Sequence, residues 1–223
     1  MHAHATHARL LILGAALLLA GAAAGQGTAS DPLADTFGAA MTQLDIVRMT
    51  ALTDGISLFF TIEFSGSISP SDSGAVDAAV GYIEMDSDQD SATGGPSSVV
   101  SLCPLPGMLG PDFTVDLFSY ASATGQADVV DSSSFAVVGS AAVSFAGSSL
   151  SAVVPLAAIG DEGIVDAAAI MGTPVEPTDC VPDGGVLTSA FAAPSLPAAA
   201  LPVLIAALLA AGGLSLQRRR RAA

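Results

Sequence analysis

The chain has 223 residues, 51% of them hydrophobic, and a formal net charge of −15 at pH 7. All 21 acidic residues lie between Asp31 and Asp183, where Arg48 is the only basic residue. Because nucleic-acid recognition needs a basic face, nucleic acid is excluded as a partner. The three histidines lie within the first seven residues and lysine is absent, so a chain that loses its N terminus has no Ser-His-Asp triad, His-ligated zinc site or Schiff-base lysine.

The N terminus has the three-part layout of a secretory signal peptide. A polar start ending in Arg9 is followed by the apolar run L-L-I-L-G-A-A-L-L-L-A and then by small residues of the A-x-A kind. An N-terminal membrane anchor is the alternative, but the apolar run is short for a membrane span. We predict that residues 1–25 are removed, that the protein is exported to the cell envelope or surface, and that residues 26–43 form an irregular lead-in.

Residues 44–52 and 56–64 are predicted to form a β-hairpin. In the second segment every other residue is apolar, which is typical of a strand with one buried face. These residues are Ile56, Leu58, Phe60, Ile62 and Phe64. Asp54 and Gly55 lie between the two segments, and an Asp-Gly pair tolerates the positive φ of a hairpin turn.

Short strand-like runs with turn residues between them continue along the chain. They cover residues 80–86, 113–120, 127–130, 135–138, 141–145, 149–156 and 164–171. Such spacing, without a long helical pattern, predicts an all-β fold: a single antiparallel β-sandwich of the jelly-roll or carbohydrate-binding kind over residues 44–189. Residues 175–185 are predicted to be a loop that closes this domain.

The stretch E-M-D-S-D-Q-D-S-A-T-G-G contains the main candidate site. Asp86, Asp88 and Asp90 recur at alternate positions, and carboxylates so close together repel one another unless a cation lies between them. Ca²⁺ takes about six to eight oxygen ligands, so we predict a calcium site, with Glu84 and Asp112 as weaker candidates to complete the shell. The spacing is not that of an EF-hand, which needs Gly and Glu where this loop has Ser. A solvated acidic turn without metal is the alternative.

Cys103 and Cys180 are the only two cysteines. An even count in an exported chain favours a disulfide, which here would connect the closing loop to the segment that follows the acidic stretch. Two separate buried thiols are the alternative.

The C terminus has the pattern of a membrane anchor. A small linker over residues 190–197 precedes an almost wholly apolar run over residues 198–216, which is long enough to cross a bilayer. The basic tail at 217–223 predicts that this end stays on the cytoplasmic side. A core helix is the alternative, which the four terminal arginines disfavour.

The order of a Pro-containing motif, an apolar helix and an arginine cluster resembles the sorting tails of PEP-CTERM proteins and their relatives. The residues that carry this resemblance are Pro194, Pro197, Arg218, Arg219, Arg220 and Arg221. The stretch V-P-D-G-G at 181–185 is also similar to the V-P-D-S-G form of such signals. The resemblance implies a partner, an exosortase-type membrane enzyme that cuts the tail and passes the protein to the cell surface.

The domain itself resembles exported bacterial modules of uncharacterised function that often precede such tails. The shared motifs are D-P-L-A-D-T-F-G, G-Y-I-E-M-D-S-D-Q-D-S-A-T-G, P-D-F-T-V-D-L and P-T-D-C-V-P-D-G-G, in that order. The modules loosely resemble carbohydrate-binding or DOMON-like β-sandwiches. This resemblance implies fold and export rather than an activity.

Three functions are compatible with the sequence. The leading hypothesis is a non-enzymatic surface protein with a calcium-stabilised domain that serves adhesion or matrix architecture, with a polysaccharide or another surface protein as partner. The second is a glycan-binding module, although the chain has no Trp and only two Tyr. The third is a hydrolase that uses a pair of carboxylates facing one cleft.

Overall fold

A computed structural model describes residues 27–37, 42–103, 108–160 and 163–191. The predicted signal peptide, the transmembrane segment at 198–216, the basic tail and the sorting-signal residues Pro194, Pro197 and Arg218 to Arg221 lie outside the described residues. Among the residues that are described, no helix has the length and apolar character needed to cross a membrane.

The described chain is built from twelve strands with very little helix. The strands are β1 Gly27–Ser30, β2 Ile46–Thr53, β3 Ser57–Phe64, β4 Val80–Asp86, β5 Phe113–Ala121, β6 Gln126–Asp131, β7 Val137–Ala146, β8 Ser149–Pro155, β9 Asp166–Gly172, β10 Pro177–Val181, β11 Leu187–Thr188 and β12 Ala190–Phe191. One short α-helix, α1, covers Ser98–Leu102, and 3₁₀ turns cover Thr42–Leu44 and Leu156–Ala158.

The strands form one nearly closed sheet. Its order is β1-β2-β3-β8-β7-β6-β5-β4-β9-β10, and every neighbouring pair in this order is antiparallel. The last two strands connect the ends of the sheet, because β11 pairs with β9 near one end and β12 pairs in parallel with β2 near the other. The prediction of an antiparallel all-β domain is confirmed at this level.

The buried apolar core lies inside this curved sheet. Alternate residues of β3 point into it, so that Leu58, Phe60 and Ile62 are buried while Phe59 between them is 36% exposed. Strands β4 and β9 are buried along almost their whole length. Their inner residues join the main core, and their outer residues are covered by a smaller cluster that includes Val99 of α1 and Cys103.

The predicted hairpin at the start of the domain is observed as β2 and β3. Gly55 has a φ of +86°, which a glycine adopts without strain. The Asp54 carboxylate accepts hydrogen bonds from the backbone N–H groups of Ile56 and Ser57, both at 2.8 Å. The turn therefore has the Asp-Gly chemistry that the sequence indicates.

Four segments differ from the prediction, the first being the predicted linker over 190–197, whose residues Ala190 and Phe191 form β12 and pair with β2. The lead-in is not wholly irregular, since it contains β1, which pairs with β2. The predicted closing loop contains β10, whose residues are mostly buried on both faces and therefore show no apolar-polar alternation. Residues 135–138 and 141–145 belong largely to the single strand β7, while Phe135, with a φ of +59°, lies in the preceding turn.

The two cysteines lie within disulfide distance, as the predicted bridge requires. Cys103 follows α1 and Cys180 lies in β10, with their Cα atoms 6.1 Å apart and both side chains buried. The bridge fastens α1 to the outer side of the sheet.

Candidate functional site

The acidic stretch forms a loop that leaves the end of β4 and lies against the start of β5. The backbone N–H of Gly95 donates to the carbonyl oxygen of Pro111 at 2.8 Å, and that of Asp112 donates to Met85 at 2.9 Å. Gly95 has no room for a side chain, because a Cβ there would lie 2.0 Å from the carbonyl oxygen of Ser132. The bond to Met85, together with those that its carboxylate accepts from Ser87, brings Asp112 next to the loop.

Three carboxylates converge at this point, and we call Asp86, Asp88 and Asp112 the loop cluster. Each contributes an oxygen, and these oxygens all lie within 4.8 Å of one another. Asp86 is 1% exposed, and its Oδ1 accepts no hydrogen bond from any described residue. Burial, together with the nearby charges of Asp112 and Asp88, raises the pKa of Asp86.

The other two carboxylates of the loop cluster are held by hydrogen bonds. Asp112 Oδ2 accepts from the backbone N–H and the hydroxyl of Ser87, at 2.9 and 2.7 Å. Asp88 accepts from the backbone N–H of Asp90 at 2.9 Å and from the Thr93 hydroxyl, and these bonds lower its pKa. The cluster therefore combines two carboxylates held in place by hydrogen bonds with one buried carboxylate oxygen that has no hydrogen-bond donor among the described residues.

The structure does not bring Glu84 and Asp90 into this group. The Glu84 carboxylate accepts hydrogen bonds from the hydroxyl of Ser97 and from the backbone N–H groups of Ser98, at 2.6 Å, and Val99. It therefore caps the first turn of α1, although burial raises its pKa. Asp90 accepts from the backbone N–H of Ala92 at 3.0 Å, which is a local turn contact.

The donor set of the loop cluster suits a hard cation. Its three members offer carboxylate oxygens and no nitrogen or sulfur ligand. Calcium accepts such oxygen ligands in irregular geometry, whereas zinc and copper sites in proteins use histidine or cysteine.

A second acidic group was missed by the sequence reasoning, and we call it the seam cluster. It consists of Asp31, Asp35, Asp45, Asp179 and Asp183, which lie where the two ends of the sheet approach each other. The motifs D-P-L-A-D and P-T-D-C-V-P-D each carry two of these residues, so a signal was present in the sequence. Nothing in the sequence, however, indicates that the two motifs meet.

Two members of the seam cluster, Asp31 and Asp179, have strongly raised pKa values. Burial, and then the charge of Asp179, raises the pKa of Asp31 to about 8. Burial likewise raises the pKa of Asp179 to about 7, against the hydrogen bonds that it accepts from the backbone N–H groups of Ile46 and Cys180.

A cavity of about 190 Å³ is one place where two carboxylates line the same described surface. Glu84 and Asp116 both line it, together with Tyr82 and Phe135. Both oxygens of Glu84 already accept hydrogen bonds at the start of α1, and Asp116 accepts one from the backbone N–H of Phe118 at 2.9 Å. Proton transfer by Glu84 would therefore require breaking the cap of the helix.

Comparison with protein-family models finds no match, and comparison with curated proteins finds no similar sequence.

Proposed function

We propose that this protein is a non-enzymatic component of the cell envelope or extracellular matrix, with a β-domain stabilised by calcium at the loop cluster. The observation that carries the proposal is the convergence of Asp86, Asp88 and Asp112 around a buried carboxylate oxygen that has no donor among the described residues. A buried anion without a partner is costly, and a cation removes that cost.

The expected energetic effect is large relative to ordinary domain stability. A cation that binds only the folded state adds about 2.7 kcal/mol at a hundredfold excess over Kd. For a domain of this size that corresponds to a rise of roughly 5–10 °C in melting temperature. Extracellular calcium modules often have Kd values of about 10⁻⁴ to 10⁻³ M, so millimolar calcium is the relevant range.

Display at the cell surface is the second part of the proposal. The signal-peptide pattern, the apolar segment with its arginine tail and the Pro-containing motif support export and processing by an exosortase-type enzyme. The disulfide is consistent with an oxidising exterior. We further propose that the nearly closed sheet is flattened into a β-sandwich whose outer surface meets a polysaccharide or another surface protein.

The calcium proposal is tested by thermal unfolding of the wild type, Asp88→Asn and Asp90→Asn, each in millimolar calcium and in chelator. Asp90 is the matched control, because it lies in the same loop and loses the same charge but is outside the cluster. Calcium should raise the melting temperature of the wild type and of Asp90→Asn, and raise that of Asp88→Asn much less. Equal calcium responses in Asp88→Asn and Asp90→Asn would count against the loop cluster as the site.

Glycan binding is a second candidate, favoured by one feature. Tyr82 and Phe118 form an aromatic pair with ring centroids 5.4 Å apart, and both line a largely apolar cavity of about 160 Å³. Phe118 is 51% exposed, so its ring is available for stacking. A glycan array that shows binding by the wild type and none by Phe118→Ala would favour this function over a purely structural one.

A further inference from the structure

The seam cluster contains a buried carboxylate, that of Asp31, which has no hydrogen-bond partner among the described residues. Asp31 is only 7% exposed, and neither of its carboxylate oxygens accepts a hydrogen bond from a described residue. An oxygen of Asp31 nevertheless lies within 4.8 Å of oxygens of Asp179 and Asp183. The bare carboxylate therefore faces other carboxylates.

No positive side chain in the described part of the chain compensates this charge. Arg48 is the only lysine or arginine there, and its guanidinium forms an exposed ion pair with Glu63, with contacts of 2.7 and 2.6 Å. The surroundings of Asp31 add more negative charge, because Asp35 and Asp45 form an overlapping group with Asp179.

We propose that Asp31, Asp179 and Asp183 bind a calcium ion that joins the two ends of the sheet. Asp31 follows β1, whereas Asp179 lies in β10 and Asp183 just beyond it. A cation at this point links the first strand of the described domain to the segment that closes it. Asp183 is partly exposed and gives the ion a path from solvent, while the other two ligands are buried.

The surrounding geometry holds the ligands in place. Asp179 accepts hydrogen bonds from the backbone N–H groups of Ile46, at 2.5 Å, and Cys180, at 2.8 Å, which fix its carboxylate across the seam. Asp45 accepts from the backbone N–H of Ala34 at 2.9 Å, which holds the chain that follows Asp31. Calcium suits this irregular set of carboxylates from separate segments better than magnesium, which requires near-octahedral geometry and retains its waters.

The seam site shares no residue with the loop cluster, so substitutions can remove one site and leave the other intact. Calcium binding is measured by titration calorimetry on the whole 223-residue chain in non-ionic detergent after chelation, using calcium chloride alone as the probe. The wild type should bind two calcium ions, Asp31→Asn one, Asp88→Asn one, and the double variant none. Asp77→Asn, which removes a carboxylate outside both clusters, should still bind two.

The stability of Asp31→Asn without metal distinguishes a ligand from a structural carboxylate. In chelator, Asp31→Asn should melt at a higher temperature than the wild type, because folding no longer has to bury the charge of residue 31 or neutralise it with a proton, and the amide supplies donors to Asp179 and Asp183. It should also lose the part of the calcium-induced rise that Asp88→Asn retains. Asp183→Asn, which changes a partly exposed ligand, should likewise lose one bound ion.

The proposal is overturned if Asp31→Asn and Asp183→Asn both bind as many calcium ions as Asp77→Asn, or if Asp31→Asn melts below the wild type in chelator. If magnesium raises the melting temperature of Asp88→Asn as much as calcium does at the same concentration, the assignment of the seam site to calcium is overturned. If Asp31→Asn loses one bound ion and Asp88→Asn loses none, the seam site is supported and only the calcium site at the loop cluster is refuted.

Discussion

The backbone N–H of Gly95 donates to the carbonyl oxygen of Pro111 at 2.8 Å, and this bond holds the acidic loop against the segment before β5 that contains Asp112. Neighbouring backbone packs so closely that a Cβ at residue 95 would lie 2.0 Å from the carbonyl oxygen of Ser132. The loop that carries Asp88 thus contains a position where only glycine fits without movement of the backbone.

Replacing Gly95 with alanine should therefore weaken both the fold and the calcium response. The added methyl forces backbone to move, at a cost of about 1–3 kcal/mol in the free energy of unfolding. Since the loop then separates from Asp112, calcium should raise the melting temperature less than in the wild type. The control is Gly163→Ala, where a Cβ meets only the ring of Phe191 at 3.6 Å. Equal calcium responses in the two variants would contradict this role of Gly95.

Glu84 is expected to stabilise the domain without contributing to calcium binding. Removing its carboxylate in Glu84→Ala leaves the first backbone N–H groups of α1 without an acceptor, at a cost of about 1–3 kcal/mol in unfolding free energy. Chemical denaturation should show this loss, while the calcium-induced shift in melting temperature should be unchanged. Glu63→Ala, which removes an exposed ion pair with Arg48, should cost at most about 1 kcal/mol. A calcium response that disappears in Glu84→Ala would instead make Glu84 a ligand.

Asp116 and Asp128 face each other across β5 and β6 and should destabilise the domain at neutral pH. Burial, and also the charge of Asp128, raises the pKa of Asp116, so the folded state holds its proton more tightly than the unfolded chain does. Stability is therefore lost as pH rises from the unfolded value of about 3.9 through the raised folded value.

The variant Asp116→Asn should be more stable than the wild type at pH 7, by about 0.2–1 kcal/mol, the usual size of a cross-strand pair. An asparagine side-chain oxygen can still accept the hydrogen bond from Phe118. Near pH 3 the advantage should vanish, because the wild-type carboxyl is then protonated in both states. Urea unfolding at the two pH values measures this difference, and a variant that is less stable than the wild type at pH 7 would refute it.

The sequence predicted the elements whose patterns are local and not those that depend on closure of the sheet. Strand β3 was predictable because one face is buried and the other is exposed, and the Asp54-Gly55 turn has its own chemistry. Strand β10 was missed because all of its residues after Pro177 are buried and so show no apolar-polar alternation. Strand β1 was missed because it is short and pairs with only one neighbour along the sheet.

The candidate sites also divide into residues that are close in sequence, whose grouping could be predicted, and residues that only the folded sheet brings together. Asp86 and Asp88 lie close in sequence, and their grouping could be inferred, whereas Asp112 was only a weaker candidate because its meeting with them depends on the pairing of β4 with β5. The contacts of Glu84 could not be inferred, because the helix start that it caps is contributed by residues 97–99, which no local spacing connects to it. The seam cluster could not be inferred, since its members come from opposite ends of the domain.

The disulfide should account for a substantial part of the stability of the domain. Cys103 and Cys180 are separated by 77 positions, and closing a loop of that length in the unfolded chain is worth about 4 kcal/mol in the chain-entropy estimate. The double variant Cys103→Ala/Cys180→Ala should therefore unfold at a lower denaturant concentration, and alanine avoids burying a hydroxyl without a partner. A thiol reductant should shift the wild type towards the double variant and leave the double variant unchanged. If the wild type and the double variant unfold at the same midpoint under oxidising conditions, the bridge contributes nothing, and packing of α1 against β9 would suffice to hold this side of the sheet.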